Sequence, residues 1–146
     1  MIDNDFFSNR LVSHMENYGY RDKIKQIGEN SVDLLGIYIT FNVGNKSPNG
    51  ERSLEILLED SKNNSGDFLS HLEKMQTQNF KKENFPSNLR RKMKRDSQYW
   101  DIGNLEKHKG GTYKIDTTLK TQNEEKAFFA VYNNLVRSLL IYTLNM

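Results

Sequence analysis

The sequence predicts a single α+β domain spanning residues 1–146, with an antiparallel sheet of about four strands built from two hairpins and helices packed mainly on one face. Apolar residues recur at every second position in two regions, and at helical spacing around both. The connections between these segments are short, which favours antiparallel neighbours. The expected order is helix, hairpin, one or two helices, hairpin, helix. A chain of this length can bury one core.

The first element is a helix capped by Asp3 or Asn4, whose side chains accept hydrogen bonds from the first free amides. Gly19 breaks or kinks this helix, and a further helical turn over residues 24–27 ends at Gly28. The apolar residues of the first helix follow spacings of four, four and three. They define its buried stripe: Phe7, Leu11, Met15 and Tyr18.

The first hairpin begins where the apolar period changes from 3.6 to 2, over residues 32–43. One predicted strand face carries Leu35, Ile37, Ile39, Phe41 and Val43. Residues 44–50 are rich in Gly, Asn, Ser and Pro and form the turn, and a second strand alternates over residues 54–59. Leu34, Tyr38 and Leu57 fall on the outward face, where they form a dimer contact or lie under a helix.

The later elements follow from similar signals. A polar loop over residues 60–67 leads to a helix with Phe68, Leu69, Leu72 and Met75 on one side, which we expect to pack on the first hairpin. Pro86 favours a second short helix over residues 87–95. Strands over residues 99–102 and 112–119, joined by a loop over 103–111, form the second hairpin.

The last helix has the clearest pattern. Thr121 and Glu124 stand three apart, as in a capping box. The apolar residues that follow share one helical face: Phe128, Val131, Tyr132, Leu135, Leu139 and Tyr142.

Composition excludes several classes of site. The chain has no cysteine, so a disulfide frame, a thiolate zinc site and a cysteine nucleophile are excluded. The N-terminus lacks the basic and then apolar pattern of a signal peptide, and no apolar run reaches the roughly 18 residues of a membrane span. We therefore expect a cytoplasmic protein.

The positive charge is concentrated in residues 81–100, KKENFPSNLRRKMKRDSQYW. They carry seven basic and two acidic side chains, a net +5, so the remaining 126 residues carry −3 of the total of +2. On a helix over 87–95, Leu89 and Met93 share a face, and the cations cover most of the remainder. Repulsion between these like charges favours a polyanionic partner. The predicted contacts are Arg90, Arg91, Lys92, Lys94 and Arg95, with Lys81 and Lys82 before them.

Aromatic residues flank these cations. Phe85 and Tyr99 are candidates for stacking on the bases of single-stranded nucleic acid, which uses exposed rings beside basic grooves. The alternative is that these rings pack in the core, as we expect for Trp100. For the cations, the alternative to a nucleic-acid contact is that they only form the solvated face of an ordinary helix.

An acidic face is expected on the second strand, where Glu51, Glu55 and Glu59 point outward. Carboxylates spaced in this way can mimic phosphates or dock on a basic cleft of a partner. The alternative is that they only protect a sheet edge from pairing with another chain.

No catalytic residue, metal ligand or cofactor site is identified. Asp33 and Glu55, placed on successive strands, are similar to the magnesium ligands of restriction-type nucleases, but Leu57 stands where such enzymes have a lysine. The histidines His14, His71 and His108 lie apart, and His14 is expected to be a half-buried structural residue. His71 and Glu73 form an H-x-E pair without the cysteines that a zinc deaminase needs.

These observations leave three hypotheses. The first is a non-enzymatic binding protein whose basic helix contacts nucleic acid or a nucleoprotein complex. The second is a small phage or mobile-element inhibitor or adaptor, of the anti-restriction or anti-CRISPR type, that binds a host defence protein. The third is a magnesium-dependent nuclease-like domain, which is the weakest because its lysine is missing.

Overall fold

The computed structural model describes residues 1–62, 66–76, 87, 91, 95, 98–101, 105–107 and 111–144. Within these residues the chain has the expected mixed α and antiparallel β composition. The elements follow in the order α1 (Phe6–Asn17), a 3-10 turn (Arg21–Lys23), β1 (Ile24–Gly28), β2 (Ser31–Leu34), β3 (Ile37–Lys46), β4 (Arg52–Asp60), α2 (Gly66–Gln76), β5 (Trp100–Asp101), β6 (Leu105–Lys107), β7 (Tyr113–Leu119) and α3 (Glu124–Leu144).

The sheet is wider than the predicted four strands. Its order is β1-β2-β3-β4-β7-β5, and β6 also pairs with β7, so the described strands occupy six positions. Both β5 and β6 pair antiparallel with β7, opposite 118–119 and 113–115 respectively. The predicted hairpin loop over 103–111 therefore contains a strand, β6. Its three residues, LEK, are too few and too polar for their sequence to predict a strand.

The first correction concerns β1, a segment whose sequence predicts a helical turn. Ile24 pairs with Leu34 and Gln26 pairs with Val32, so these residues form an edge strand. The segment has weak preference of its own, and its backbone groups find partners on β2. Tertiary pairing overrides the local helical pattern in such cases.

The second correction divides the predicted strand over residues 32–43. Leu35 and Gly36 have φ values of 52° and 95° and form a two-residue turn between β2 and β3. Hairpin turns of this type need positive φ at both central positions, which a leucine rarely supplies. Leu34 therefore pairs with Ile37 on the same face of the sheet and is buried in the core. The predicted outward trio of Leu34, Tyr38 and Leu57 loses its first member.

The turn predicted over residues 44–50 is shorter in the structure, because β3 continues to Lys46, which pairs with Arg52 after an irregular register that begins at Val43. A Cβ at Gly44, inside this irregularity, would collide with the Ser53 hydroxyl oxygen. A larger residue there would force that hydroxyl to rotate, which glycine avoids.

One face of the sheet carries the core. Alternate residues of β3, β4 and β7 are buried there, including Ile39, Phe41, Leu54, Ile56 and Ile115. The buried faces of α1, α2 and α3 join the same cluster: Phe7, Leu11, Met15, Phe68, Leu72, Phe128, Leu135 and Leu139. The described helices thus cover one face, as predicted, and the other is called here the open face.

The start and end of α1 differ from the prediction. Asp5 occupies the N-cap position and makes no side-chain cap bond. The Asn4 side-chain oxygen accepts instead from the backbone amide of Val43, 3.0 Å away, and so joins the helix start to β3. The helix ends at Asn17, which leaves Tyr18 outside the buried stripe and 70% exposed.

Helix α3 is capped by Asn123, whose Oδ1 accepts from the Lys126 amide at 3.0 Å, and not by Thr121. Its predicted apolar face packs in the core, with Tyr132 half-buried at the margin. Residues Tyr132–Val136 form a π-helical turn, in which the Arg137 amide donates to the Tyr132 carbonyl five residues earlier. The Ala130 carbonyl accepts from the buried Asn134 side chain at 2.7 Å. Such a turn accommodates one extra residue in a helix.

The length and composition of α3 also match those of a membrane span, with 21 residues and a mean hydropathy of 1.2 over its most apolar window. However, 61% of that window is buried inside the domain. The apolar residues are accounted for by the core that this helix shares with the sheet.

Helix α2 contributes Phe68 and Leu72 to the same buried cluster as the first hairpin. The Phe68 ring lies 5.8 Å from that of Tyr113 on β7 and 5.4 Å from that of Tyr142 on α3. The predicted contact of Met75 lies outside the described side chains.

Candidate functional site

The basic helix predicted over residues 87–95 is described at three positions. Ser87, Arg91 and Arg95 have helical backbone and exposed side chains. On the helix that the sequence predicts over residues 87–95, positions four apart share a face, and we call these three exposed residues the basic row. The other predicted contacts lie outside the described residues: Lys81, Lys82, Phe85, Arg90, Lys92 and Lys94.

The chain that follows the basic row is fixed to the sheet. The Gln98 side-chain amide donates to the Arg95 carbonyl at 3.1 Å. The Tyr99 carbonyl accepts from the Lys120 amide at 2.8 Å. The Tyr99 ring is half-buried against the core, and the Lys126 ammonium lies 5.2 Å from its centroid. This ring, a candidate for stacking on bases, already packs against the protein.

Trp100 is the strongest of these anchors and is buried, as the sequence predicts. Its indole N–H donates to the Thr117 hydroxyl at 2.7 Å, and that hydroxyl donates to the Leu54 carbonyl at 3.0 Å. A buried hydroxyl with both a donor and an acceptor is fully satisfied. The pair holds the chain after the basic row against two strands.

The predicted acidic face is present in part. Glu55 and Glu59 lie on the open face of β4 and are half-buried, whereas Glu51 precedes the strand. The Asn42 side-chain amide donates to Glu55 Oε1 at 3.0 Å. Strand β4 lies between β3 and β7, so edge protection does not explain these acids. The sequence did not reveal this because strand order is set by tertiary pairing.

Neighbouring strands add acids that the sequence pattern does not assign to this face. Asp116 on β7 stands directly opposite Glu55, and Glu106 on β6 stands opposite Lys114. Lys114 Nζ lies 3.5 Å from Glu106 and 3.7 Å from Asp116. Asp116 first and Glu106 second raise the pKa of Lys114. The open-face acids are thus Asp33, Glu55, Glu59, Glu106 and Asp116.

A shallow depression of about 510 Å³ lies on this face beside Gly44. Glu55 and Asp116 line it with Asn42, Ser53 and Thr118. Its walls carry hydrogen-bonding groups and negative charge, and it is continuous with the open-face acids.

The nuclease arrangement is not formed. Asp33 is in register with Tyr38 and, across β3, with Glu59 and not Glu55. Asp33 Oδ1 accepts from the Gly36 amide at 2.8 Å and thereby closes the β2–β3 turn. Among the described residues, no group of three or more acids and histidines is placed to hold a metal ion.

A buried polar pair lies at the far end of the core. The Tyr142 hydroxyl donates to Asp60 Oδ2 at 3.1 Å, and the Lys62 amide donates to Asp60 Oδ1 at 3.1 Å. Burial and then Asp60 raise the pKa of Tyr142 to about 12. The His71 ring lies 4.9 Å from that of Tyr142, with its Nε2 3.0 Å from the Ser138 carbonyl. These bonds join β4 and α2 to α3.

A second group of side chains, which sequence reasoning missed, lies where the end of α1 meets the middle of α3. His14 is half-buried, as predicted, and its ring centroid lies 4.6 Å from that of Tyr132 and 4.8 Å from that of Tyr18. We call the surrounding group the aromatic–arginine cluster: Arg10, His14, Tyr18, Tyr20, Tyr132 and Arg137. The only sequence signal was the spacing of four between Arg10, His14 and Tyr18. His108 lies outside the described residues.

Comparison of the chain with protein-family models, with curated proteins and with solved structures found no significant match. We therefore infer function from the chain's own residues.

Proposed function

We propose that this protein is a non-enzymatic binding protein that contacts nucleic acid, or a nucleoprotein complex, through the basic helix over residues 87–95. The observation that carries the proposal is that Arg91 and Arg95, the two cations of the basic row, have helical backbone and exposed side chains. Each arginine that meets a phosphate releases condensed counterions, so such a row favours polyanions.

The attachment of the row supports the same proposal. The bonds of Tyr99 and Trp100 join the residues after Arg95 to strands β4 and β7, and the Gln98 side chain donates to the Arg95 carbonyl. A segment fixed at one end loses less conformational freedom on binding than a free segment would. This attachment therefore lowers the entropic cost of binding a partner there.

Charge distribution is the third support. The open-face acids lie on the side of the sheet that the described helices leave uncovered, whereas residues 81–100 carry a net +5 in sequence. A polyanion is attracted by the basic segment and repelled by the open-face acids.

The test is a fluorescence-anisotropy titration of a labelled 20-nucleotide oligonucleotide, single-stranded or duplex, across a salt series. Arg91→Gln with Arg95→Gln removes two phosphate contacts without reversing charge. We expect weaker binding and a salt slope that is smaller by about 2, because each lost contact reduces the slope by about 1. The matched control is Arg21→Gln with Lys25→Gln, which removes two positive charges from exposed residues elsewhere in the chain.

Equal losses in the two double variants would mean that only net charge matters, and the proposal would fail. It would fail equally if the unaltered protein showed no binding at low salt.

The open-face acids favour a second candidate, the inhibitor or adaptor that docks on the basic cleft of a host defence protein. Acids from four strands share one face, which is a broader negative surface than a single strand can supply. A phosphate-binding cleft on a partner has the complementary charge.

Affinity purification from a bacterial host separates this candidate from the first. Recovery of one stoichiometric protein partner without nucleic acid would support it, provided that Glu55→Gln with Glu59→Gln reduces recovery more than Glu16→Gln with Glu29→Gln. Recovery of nucleic acid alone would exclude it.

A further inference from the structure

The aromatic–arginine cluster is built by the way α1 ends. The Tyr20 amide donates to the Met15 carbonyl at 2.8 Å and the Gly19 amide to the Glu16 carbonyl at 3.1 Å. With Gly19 at a φ of 81°, this is the helix ending known as the Schellman motif. It places one tyrosine on each side of the glycine. The Tyr18 ring lies 4.8 Å from the His14 ring, which in turn lies 4.6 Å from that of Tyr132 on α3.

These tyrosines are not core residues. Tyr18 is 70% exposed and Tyr20 is 43% exposed. Burial raises the pKa of Tyr132, Arg137 lowers it, and Tyr20 and then Tyr18 raise it further. Single exposed rings are common on proteins, but three phenols gathered with two guanidinium groups form a distinct surface.

The charge of the cluster comes from its arginines. Burial, then Arg10 and Arg137, lower the pKa of His14 and so favour its neutral form. Arg10 lies 5.3 Å from the Phe128 ring centroid, and Arg137 lies 5.9 Å from that of Tyr132. Within the described part of the chain, no carboxylate forms an ion pair with either arginine. Both charges remain available to an anion.

Rings and unneutralised guanidinium groups together select a particular ligand. A duplex keeps its base faces stacked inside the helix, whereas unpaired bases present them to aromatic side chains. An acidic peptide would satisfy the arginines but would leave the tyrosine faces without flat partners.

We propose that the aromatic–arginine cluster is a second contact site that binds single-stranded nucleic acid, with Tyr18 and Tyr20 stacking on unpaired bases while Arg10 and Arg137 contact phosphates. The inference rests on the proposed function for the class of ligand and extends it to a surface remote in sequence from the basic row. It also names single strands as the preferred form.

The test compares a labelled oligo-dT of 20 nucleotides with a duplex of equal length. For Tyr18→Ala with Tyr20→Ala, we expect single-strand affinity to fall by between about fivefold and 150-fold for each ring that stacks, and duplex affinity to change by less than about twofold. Tyr38→Ala is the matched control, because Tyr38 is an exposed tyrosine on the open face, 36% accessible. Gly19 is retained in all variants to preserve the turn, and circular dichroism checks the fold.

A second measurement does not depend on substitutions. Photocrosslinking of a bromodeoxyuridine-substituted oligonucleotide, followed by mass spectrometry, should place crosslinks on Tyr18, Tyr20 or Tyr132. Crosslinks found only elsewhere would overturn the inference.

The outcomes separate the two proposals. If Arg91→Gln with Arg95→Gln weakens single-strand binding while the double tyrosine variant matches the unaltered protein, the second site is wrong and the proposed function stands. If the tyrosine variant loses a protein partner but retains the oligonucleotide, the cluster is a protein contact and the inference is again wrong. If the unaltered protein binds neither probe, both proposals fail.

Discussion

The two faces of the sheet differ although the same strands form them. On β4, Ile56 is fully buried, while its neighbours Glu55 and Leu57 are half-buried on the open face. The covered face holds the core and three helices, and the open face holds most of the described strand acids. One face therefore determines stability, and the other is free to carry charge with little effect on folding.

The largest expected effect comes from removing the anchor at the edge of the covered face. Trp100→Ala should lower the free energy of unfolding by about 3 to 5 kcal/mol, because it leaves a cavity and takes the indole donor from Thr117. Urea denaturation followed by circular dichroism measures this. Trp100→Phe, which retains ring burial without the donor, should cost less. A loss below about 1 kcal/mol for the alanine variant would contradict the anchoring role.

The comparison is sharpest at adjacent positions of β4. Ile56→Ala should cost about 2 to 5 kcal/mol because its side chain is fully buried. Leu57→Ala should cost about 1 kcal/mol, since Leu57 lies half-buried on the open face. Both are measured by the same denaturation assay. Similar costs at the two positions would indicate that something covers the open face.

The buried pair of Tyr142 and Asp60 should give the covered face a pH dependence. The pKa of Tyr142 in the folded protein, about 12, exceeds its ordinary value of 10.0. Its contribution to stability is thus complete below pH 10 and is lost as the pH rises towards 12. Tyr142→Phe should cost about 1 to 3 kcal/mol at pH 7 and reduce the loss of stability between pH 10 and 12. An unchanged alkaline profile would show that Tyr142 does not control this transition.

The smallest effect, of opposite sign, is expected on the open face. Glu55→Gln removes one of two like charges that face each other across β4 and β7, while its amide oxygen still accepts from Asn42. We expect stabilisation by about 0.2 to 1 kcal/mol at low ionic strength, and none at 1 M salt. Destabilisation at low salt would mean that the attraction of Glu55 to Lys114 outweighs its repulsion from Asp116.

The spacing of apolar residues was sufficient to predict β3, β4, β7 and the buried face of α3. Apolar residues recur at every second position in the three strands and at helical spacing in α3. It failed at β1, whose polar residues are ordered by pairing with β2. It also failed at Leu35, where the fold imposes a positive φ that this residue type does not indicate. Such features depend on contacts between segments.

The same division applies to the candidate sites. Composition alone identified the basic segment, and β4 alone supplied Glu55 and Glu59. Asp116 joined them only through strand register, and the aromatic–arginine cluster joins residues more than a hundred positions apart, such as His14 and Tyr132. The local spacing of residues along the chain carries no information about either of these contacts between distant segments.

The π-helical turn in α3 bears on how this chain can change in length. The turn accommodates its extra residue locally, so the part of α3 after it keeps the orientation of a helix one residue shorter, whereas an added residue otherwise rotates the rest of a helix by about 100°. Deleting Asn134 would let the helix close into continuous α geometry without turning the Tyr142 hydroxyl away from Asp60, at the cost of the bond from the Asn134 side chain to the Ala130 carbonyl. The turn is therefore a place where α3 can lose one residue while the core contacts on either side stay aligned.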